Sequence, residues 1–290
     1  STWRGLAFIA LIVAIFVGFS GISEVKKIDT ISDPYIARVK VEGMILREKD
    51  REEIVKKIAE NDKIKAVILN INSTGGTAVG GESLYKKFKE LNDKKPVVSV
   101  MNTIAASAAY MIALGTEKIY AYNGSIIGSI GVISQMPNVK EAAEKLGIDV
   151  KIIRSAEFKG RPSMFEENSE ESFDVIKRMM MDFYGYFKSL VKTERNLSEQ
   201  QIEEVADGRI FSSKYALEKN LIDAIGTEQD AINWIIKEHD LPEDIKVKDV
   251  KLYKPEPPFE KFINSLANTI GLDSLFSLEK NEKFQGLMLK

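Results

Sequence analysis

The sequence has almost none of two residue types that many catalytic and metal sites require. It contains no cysteine, and its single histidine is His239. The lack of cysteine excludes disulfides, cysteine nucleophiles and thiolate metal ligands within this chain. Because His239 stands at the polar end of a predicted helix, we expect it to contact solvent rather than to act in a Ser-His-Asp triad or bind a metal. A serine nucleophile here would need lysine or a carboxylate as its base.

An excess of charge of one sign is also lacking. The 41 lysine and arginine residues nearly balance the 43 aspartate and glutamate residues, which leaves a net charge of −2. Without a basic field over the molecule, nucleic acid is not an expected partner. Hydrophobic residues make up 44% of the 290 residues, which is enough for a sizeable core in one or two domains.

One long apolar run stands near the start of the chain. Residues 5–22 carry no charge and approach the ~20 residues that a membrane span needs. A cleaved signal peptide and a buried core helix are the alternatives. The run is longer than the apolar region of a typical signal peptide, and residues 18–21 form only a weak cleavage site. We therefore predict a transmembrane anchor over residues 1–23, whose orientation the flanking positive charges leave open.

Strand and helix patterns alternate through the rest of the chain. Residues 24–34 are predicted to be a linker, residues 35–240 an α/β domain, and residues 241–290 a C-terminal extension that packs in an oligomer. Apolar strands, the last of them predicted over residues 148–153, alternate with amphipathic helices about every 30 residues. This repetition predicts an α/β fold with right-handed crossovers.

A serine at a predicted strand–helix junction is the first candidate for chemistry. The strand over residues 96–101 leads through a short polar turn into a helix of very small residues, with Ser107 in its first turn. Small neighbours let a substrate approach closely, and the free N–H groups of a helix N-terminus favour an oxyanion. The pattern is compatible with a nucleophile, although serine is also a common helix cap in proteins of any function.

Two further loops contain candidate groups. A glycine-rich turn over residues 72–81 follows an apolar strand, and its N–H groups suit an anion. The phosphate-loop patterns GxxxxGK[ST] and GxGxxG are absent, so an oxyanion hole and a purely structural tight turn stay open alternatives. Lys159 lies beside Phe158 and Gly160 in an irregular loop. A desolvated lysine gives up its proton readily and can act as a base, whereas a solvated charge is the commoner role of a loop lysine.

Five segments taken together resemble signal peptide peptidases of the SppA type, which are membrane-anchored serine peptidases of family S49. They occur in the family's order at residues 72–76, 105–110, 127–132, 155–159 and 206–211. The resemblance spans residues 35–236. It implies the ClpP/crotonase fold, a repeated β-β-α superhelix, here with an N-terminal transmembrane helix.

The resemblance also implies roles for single residues. Ser107 matches the nucleophile and Lys159 the general base, while Ser129 matches the serine that hydrogen-bonds the lysine and orients it. Gly76 matches the glycine whose N–H points into the oxyanion hole. Ala108 is a second candidate for that hole on helix geometry alone, because its N–H follows the nucleophile.

The chain departs from the family pattern at two places. Thr74 stands where the family usually has proline, and residues 108–109 are Ala-Ala where the family often has Gly-Gly. Both changes are small and keep the backbone N–H groups available. We expect them to alter the shape of the pocket more than the mechanism.

The implied activity is hydrolysis of signal-peptide remnants and other small or unfolded peptides, without a metal or an organic cofactor. The implied partners are the cell membrane and further copies of the chain in a ring- or dome-shaped homo-oligomer, with the peptidase domain outside the cytoplasmic membrane. The dyad of Ser107 and Lys159 would form within one subunit or between neighbours. Three alternatives remain: an NfeD-type protease of the ClpP class, a crotonase-like acyl-CoA enzyme and an inactive membrane scaffold.

Overall fold

The computed structural model describes residues 33–252. The anchor predicted over residues 1–23 lies outside the described residues, as does the part of the predicted extension after residue 252. Between residues 33 and 252, no helix combines the length and apolar character needed to cross a bilayer.

Strands and helices alternate through the first half of the described chain, and helices predominate in the second. The strands are β1 (Tyr35–Ile45), β2 (Ile64–Gly76), β3 (Val97–Ala106), β4 (Lys118–Ala121), β5 (Ile126–Gly128), β6 (Ile210–Ser212), β7 (Ala224–Ile225) and β8 (Lys246–Val250). The helices are α1 (Lys49–Glu60), α2 (Ala78–Asn92), α3 (Ala108–Ala113), α4 (Lys140–Lys145), α5 (Glu170–Glu194), α6 (Glu199–Val205), α7 (Ser213–Glu218) and α8 (Glu228–Glu238). The predicted α/β class is confirmed.

The strands of residues 33–252 form one mixed sheet of eight strands. Its main order is β6-β5-β3-β2-β1-β8, while β4 pairs with β3 and also with β7. Strands β5 and β6 are antiparallel, and the other pairs are parallel. Parallel strands with both faces covered are apolar almost throughout, as β2 is from Ala66 to Leu69. Helix α8 packs on one face through Ala231, Ile232 and Ile235, and the larger core lies on the other face.

Strand β3 changes partner along its length, and this change shapes one edge of the sheet. Its first half, from Val98 to Met101, pairs with β4, whereas Ile104 to Ala106 pair with β5. The buried Ser125 hydroxyl donates to the carbonyl oxygen of Met101 at 2.8 Å, which fixes the chain where the partner changes. As a result, β2, β3 and β5 end side by side.

Several predicted boundaries are wrong, and each error has a cause in strand pairing. Strand β2 continues to Gly76 instead of turning at residue 72, because Met44 and Ile45 of β1 pair with Gly75 and Gly76. Strand β3 likewise reaches Ala106 because β5 pairs with its end. Helix α2 therefore begins at Ala78, where the side chain of the preceding Thr77 accepts a hydrogen bond from the Gly80 N–H at 3.1 Å.

Two further differences concern segments whose structure depends on pairing with distant strands. Residues 148–153 form no strand, and Ile153 is 97% exposed, because no strand of the described chain pairs with this segment. Residues 246–250 form β8 beside β1, although they belong to the extension predicted after residue 240. The sheet thus continues beyond the predicted boundary of the domain.

An ion pair between a buried arginine and a partly exposed aspartate joins the end of α5 to the loop before β7. The Arg195 side chain is 9% exposed and contacts Asp223 at 2.8 and 3.1 Å. Asp223 also accepts the Ile119 N–H at 2.7 Å. In the same region, Tyr110 donates to the Leu221 carbonyl oxygen at 2.8 Å, and burial raises the pKa of its hydroxyl, which therefore stays protonated.

Asp223→Ala is expected to lower the free energy of unfolding by about 3–5 kcal/mol, because it leaves the Arg195 cation buried without its partner. Urea denaturation followed by circular dichroism measures this loss. The matched control is Asp249→Ala, since the Asp249 side chain is 59% exposed and its ion pair should contribute at most about 1 kcal/mol. Equal losses for the two variants would contradict the prediction.

Candidate active site

A cavity of about 800 Å³ lies at the edge where β2, β3 and β5 end. Neighbouring parallel strands end at the same edge, so residues far apart in sequence meet there. Four of the five predicted site residues line the cavity, namely Gly76, Ser107, Ala108 and Ser129. The order of the strands along the chain does not predict that these residues lie close together, because their proximity depends on the sheet order β5-β3-β2.

Ser107 occupies a strained position between β3 and α3. Its φ of 56° and ψ of −123° lie in a region that costs a residue other than glycine ~1–3 kcal/mol. Its N–H donates to the Gly128 carbonyl oxygen at 2.8 Å, and its own carbonyl oxygen accepts the Met111 N–H at 3.0 Å. A sharp strand-to-helix turn of this kind presents a serine hydroxyl to a substrate above the sheet edge.

The end of β2 packs directly against this turn. Gly75 has a φ of 112°, and a Cβ atom there would lie 2.9 Å from the Ser107 Cβ and 3.0 Å from the Ala106 oxygen. The Ser73 hydroxyl accepts the Gly75 N–H at 3.0 Å and donates to the Gly43 carbonyl oxygen at 2.6 Å. Only glycine at position 75 therefore lets β2 approach Ser107 so closely.

Two backbone N–H groups beside Ser107 are suited to hold an oxyanion. Gly76 lines the cavity, and a Cβ atom there would lie 2.0 Å from the Ile45 oxygen, so the position excludes a side chain. The Ala108 N–H is the first of α3 and has no acceptor within its own helix. Gly81 of α2 packs against Ala108, since a Cβ there would lie 2.8 Å from the Ala108 Cβ.

Ser129 also lines the cavity, on the segment that follows β5. Its φ of 53° is also in the left-handed region, and its N–H donates to the Arg209 carbonyl oxygen at 2.8 Å. Asp207, on the turn beside it, is the one charged residue among the described residues that line the cavity. Hydrogen bonds from Arg209 hold the pKa of the Asp207 carboxyl below its usual range, so this group is ionised at neutral pH.

Helix α5 forms an apolar wall of the cavity. This helix carries a stripe of apolar and aromatic side chains, and one of them, Phe187, is buried in the core. However, the stripe also faces the cavity, which five residues of α5 line: Met180, Met181, Phe183, Tyr184 and Phe187. Such a surface suits apolar side chains of a ligand. Helical periodicity identifies the apolar face but not the empty space in front of it.

Lys159 lies apart from the other four predicted residues. It is exposed and does not line the cavity of its own chain. Its carbonyl oxygen accepts a hydrogen bond from the Arg154 Nε at 2.8 Å, and Arg154 in turn is paired with Glu166 at 2.7 Å. His239, at the end of α8, contacts Glu117 at 3.0 Å and is also not part of the cavity lining.

Comparison with known proteins gives matches in sequence and in structure. The candidate protease slr0021 of Synechocystis sp. is 36% identical over 245 residues, which cover 82% of this chain and 88% of that protein. Protease 4 of Haemophilus influenzae is 30% identical over 208 residues, which cover 68% of this chain and 34% of that protein. Among solved structures, the 1510-N membrane-bound stomatin-specific protease has a TM-score of 0.49 at 16% identity and covers 75% of this chain and 98% of that one.

The match to SppA of Enterococcus faecium, whose name describes a signal peptide peptidase, is 34% identical over 188 residues. It covers 64% of this chain and 55% of that protein, so the chain spans about half of its length. Residues 89–242, just over half of the chain, match the profile of peptidase family S49. Together with the near full-length match to the Synechocystis protein, this shows that the chain belongs to peptidase family S49 and is a serine peptidase.

Proposed function

We propose that this chain is a membrane-anchored endopeptidase that cleaves signal-peptide remnants and other small or unfolded peptides with a Ser107/Lys159 dyad. The observation that carries the proposal is the strained Ser107, which opens onto a cavity of about 800 Å³ beside the N–H groups of Gly76 and Ala108. The name of the Enterococcus relative supports the substrate class.

The proposed chemistry uses groups of this chain alone. Neutral Lys159 accepts the hydroxyl proton of Ser107 while the Ser107 Oγ attacks the peptide carbonyl. The N–H groups of Gly76 and Ala108 stabilise the oxyanion. The lysine then protonates the departing amine, which leaves an acyl-enzyme. Water activated by Lys159 hydrolyses this ester, and the Ser129 hydroxyl orients the lysine throughout.

A dyad that forms between neighbouring subunits fits the position of Lys159. The lysine is exposed and lies outside the cavity of its own chain, so another copy is the natural source of the base. The stretch of chain between β5 and α5, which contains Lys159, also exposes the apolar side chains of Ile133, Ile148 and Ile153. Such a surface favours association, which supports the proposed homo-oligomer.

The substrate and the membrane location follow from separate features. The apolar wall of α5 favours apolar or small side chains before the cleaved bond, as hydrophobic signal-peptide fragments would supply. The apolar run at residues 5–22 supports a single membrane anchor. The extracytoplasmic side that we propose for the peptidase domain comes from the family resemblance alone.

Fluorophosphonate labelling and subunit mixing test the proposal. We expect the probe to modify Ser107 of the wild type, as identified by peptide mass spectrometry, and to leave Ser107→Ala unlabelled. Ser107→Ala and Lys159→Ala should each be inactive alone. When the two are co-assembled, peptide hydrolysis should return, because some sites combine an intact Ser107 with an intact Lys159 from a neighbour.

Three other outcomes would each bear on a different part of the proposal. No recovery on mixing, with both single variants inactive, would place the dyad within one subunit. Labelling at another serine would remove Ser107 from the mechanism. Turnover of acyl-CoA esters in place of peptides would overturn the proposed substrate class.

A further inference from the structure

We infer that Asp207 is a positioning residue, which holds Ser107 and Ser129 in their strained conformations through one shared peptide unit. The inference rests on the proposed role of Ser107 as nucleophile. The turn over residues 207–209 borders the cavity but supplies no group to the proposed reaction. We infer that its role is structural.

The shared unit is the peptide bond between Gly128 and Ser129. Its carbonyl oxygen accepts the Ser107 N–H at 2.8 Å, and its N–H donates to the Arg209 carbonyl oxygen at 2.8 Å. The carbonyl and the N–H of a trans peptide point in opposite directions within one rigid plane. A tilt of this plane therefore changes both hydrogen bonds at once, so Arg209 is linked mechanically to the nucleophile.

Both serines need such support. Ser107 and Ser129 have φ values of 56° and 53°, which residues with a side chain adopt only when their surroundings hold them there. The hydrogen bonds to Gly128 and Arg209 are backbone restraints on these two conformations. If the plane relaxes, the hydroxyl groups of both serines lose their direction towards the cavity.

Asp207 fixes the carbonyl group at the far end of this linkage. Its Oδ1 accepts the Arg209 N–H at 3.1 Å, which closes a turn around Gly208, and its carboxylate also accepts the Arg209 Nε at 2.7 and 2.9 Å. Close packing reinforces the arrangement, because a Cβ atom at Gly131 would lie 3.3 Å from the Gly208 Cα.

The turn and the ion pair make separable contributions. The side chains of Arg209 and Asp207 are 62% and 41% exposed, so the ion pair itself should contribute little. Asp207→Asn keeps an oxygen that can accept the Arg209 N–H but loses the charge. Arg209→Ala loses the charge but keeps the carbonyl group that holds Ser129. Asp207→Ala removes the turn and the ion pair together.

The test measures kcat and KM of the full-length assembled protein on a fluorogenic apolar peptide. Asp207→Ala should lower kcat by ~10- to 100-fold, as expected for a nucleophile displaced by about 1 Å, with KM changed by less than ~3-fold. Asp207→Asn and Arg209→Ala should both keep kcat within ~3-fold of wild type, because each retains the turn or its carbonyl group. Asp207→Ser, which has a weaker acceptor, should fall between Asp207→Asn and Asp207→Ala.

Two results would overturn the inference. One is an Asp207→Ala enzyme whose kcat stays within ~3-fold of wild type. The other is an Asp207→Asn or Arg209→Ala enzyme as slow as Asp207→Ala, which would mean that the charge and not the turn matters. If Asp207→Ala does not fold, the inference is tested by the other two variants at this position. The kcat of Asp207→Asn must then exceed the kcat of Asp207→Ser, and the opposite order would overturn the inference. Ser107→Ala is assayed in parallel, because a rate of hydrolysis there within ~10-fold of wild type would refute the proposed function rather than the role of Asp207.

Discussion

Ser107→Ala is expected to lower kcat/KM for peptide hydrolysis by ~10³- to 10⁶-fold, which is the range seen when a serine peptidase loses its nucleophile. A methyl group cannot form the acyl-enzyme, and Ser129, the second serine among the described residues that line the cavity, has its backbone held by the Arg209 carbonyl oxygen. The residual rate should come from the oxyanion hole and substrate binding alone. Steady-state assays with a fluorogenic peptide measure the effect.

Lys159→Ala should cause a loss of the same order, and the double variant should be no slower than either single one, because the two residues of the proposed dyad would act as one unit. Lys151→Ala is the matched control, since Lys151 is also exposed and lies in the same irregular region. Its kcat/KM should equal that of wild type. A Lys159→Ala enzyme with normal activity would remove the lysine from the mechanism.

The sequence predicts those parts of the fold that depend on neighbouring residues. Ser169, Ser198 and Thr227 cap the helices α5, α6 and α8, and the last two form capping boxes. Such caps are local hydrogen bonds within one turn of helix. The short strands β6 and β8 carry no comparable signal, because their formation depends on partners elsewhere in the chain, β5 and β1.

In the candidate site, too, features set by local sequence are predictable and features set by distant contacts are not. The residue types at positions 76, 107 and 129 are recognisable in the sequence, and the parallel sheet brings them to one cavity. The left-handed φ of Ser129 is not recognisable, because it depends on how β5 pairs with β6. The Asp-Gly pair at residues 207–208 signals a turn, but the sequence does not show that this turn meets Ser129. The position of Lys159 is equally unpredictable, since the irregular segment around it has no periodic pattern to fix it against the sheet.

Gly76→Ala is expected to lower kcat by ~10²- to 10³-fold, the usual effect of losing one oxyanion donor. The added Cβ would lie 2.0 Å from the Ile45 oxygen and 2.6 Å from the Ile45 N and C atoms. These are backbone atoms of a buried residue at the end of β1, so they cannot move aside as a flexible side chain would. The backbone at position 76 must shift instead, and its N–H then no longer points at the oxyanion. Steady-state peptide hydrolysis measures kcat.

Gly124→Ala is the control for this prediction, because a Cβ atom at position 124 has no neighbour within 4 Å. It should leave kcat within ~3-fold of wild type, since it touches nothing at the oxyanion hole. Overpacking at position 76 should also lower the free energy of unfolding by about 1–3 kcal/mol, so urea denaturation must first confirm that the variant is folded under assay conditions. A folded Gly76→Ala protein with the kcat of wild type would exclude the Gly76 N–H as an oxyanion donor and leave Ala108 as the candidate. A loss of kcat in the folded variant, with Gly124→Ala unaffected, would place the oxyanion beside the end of β2.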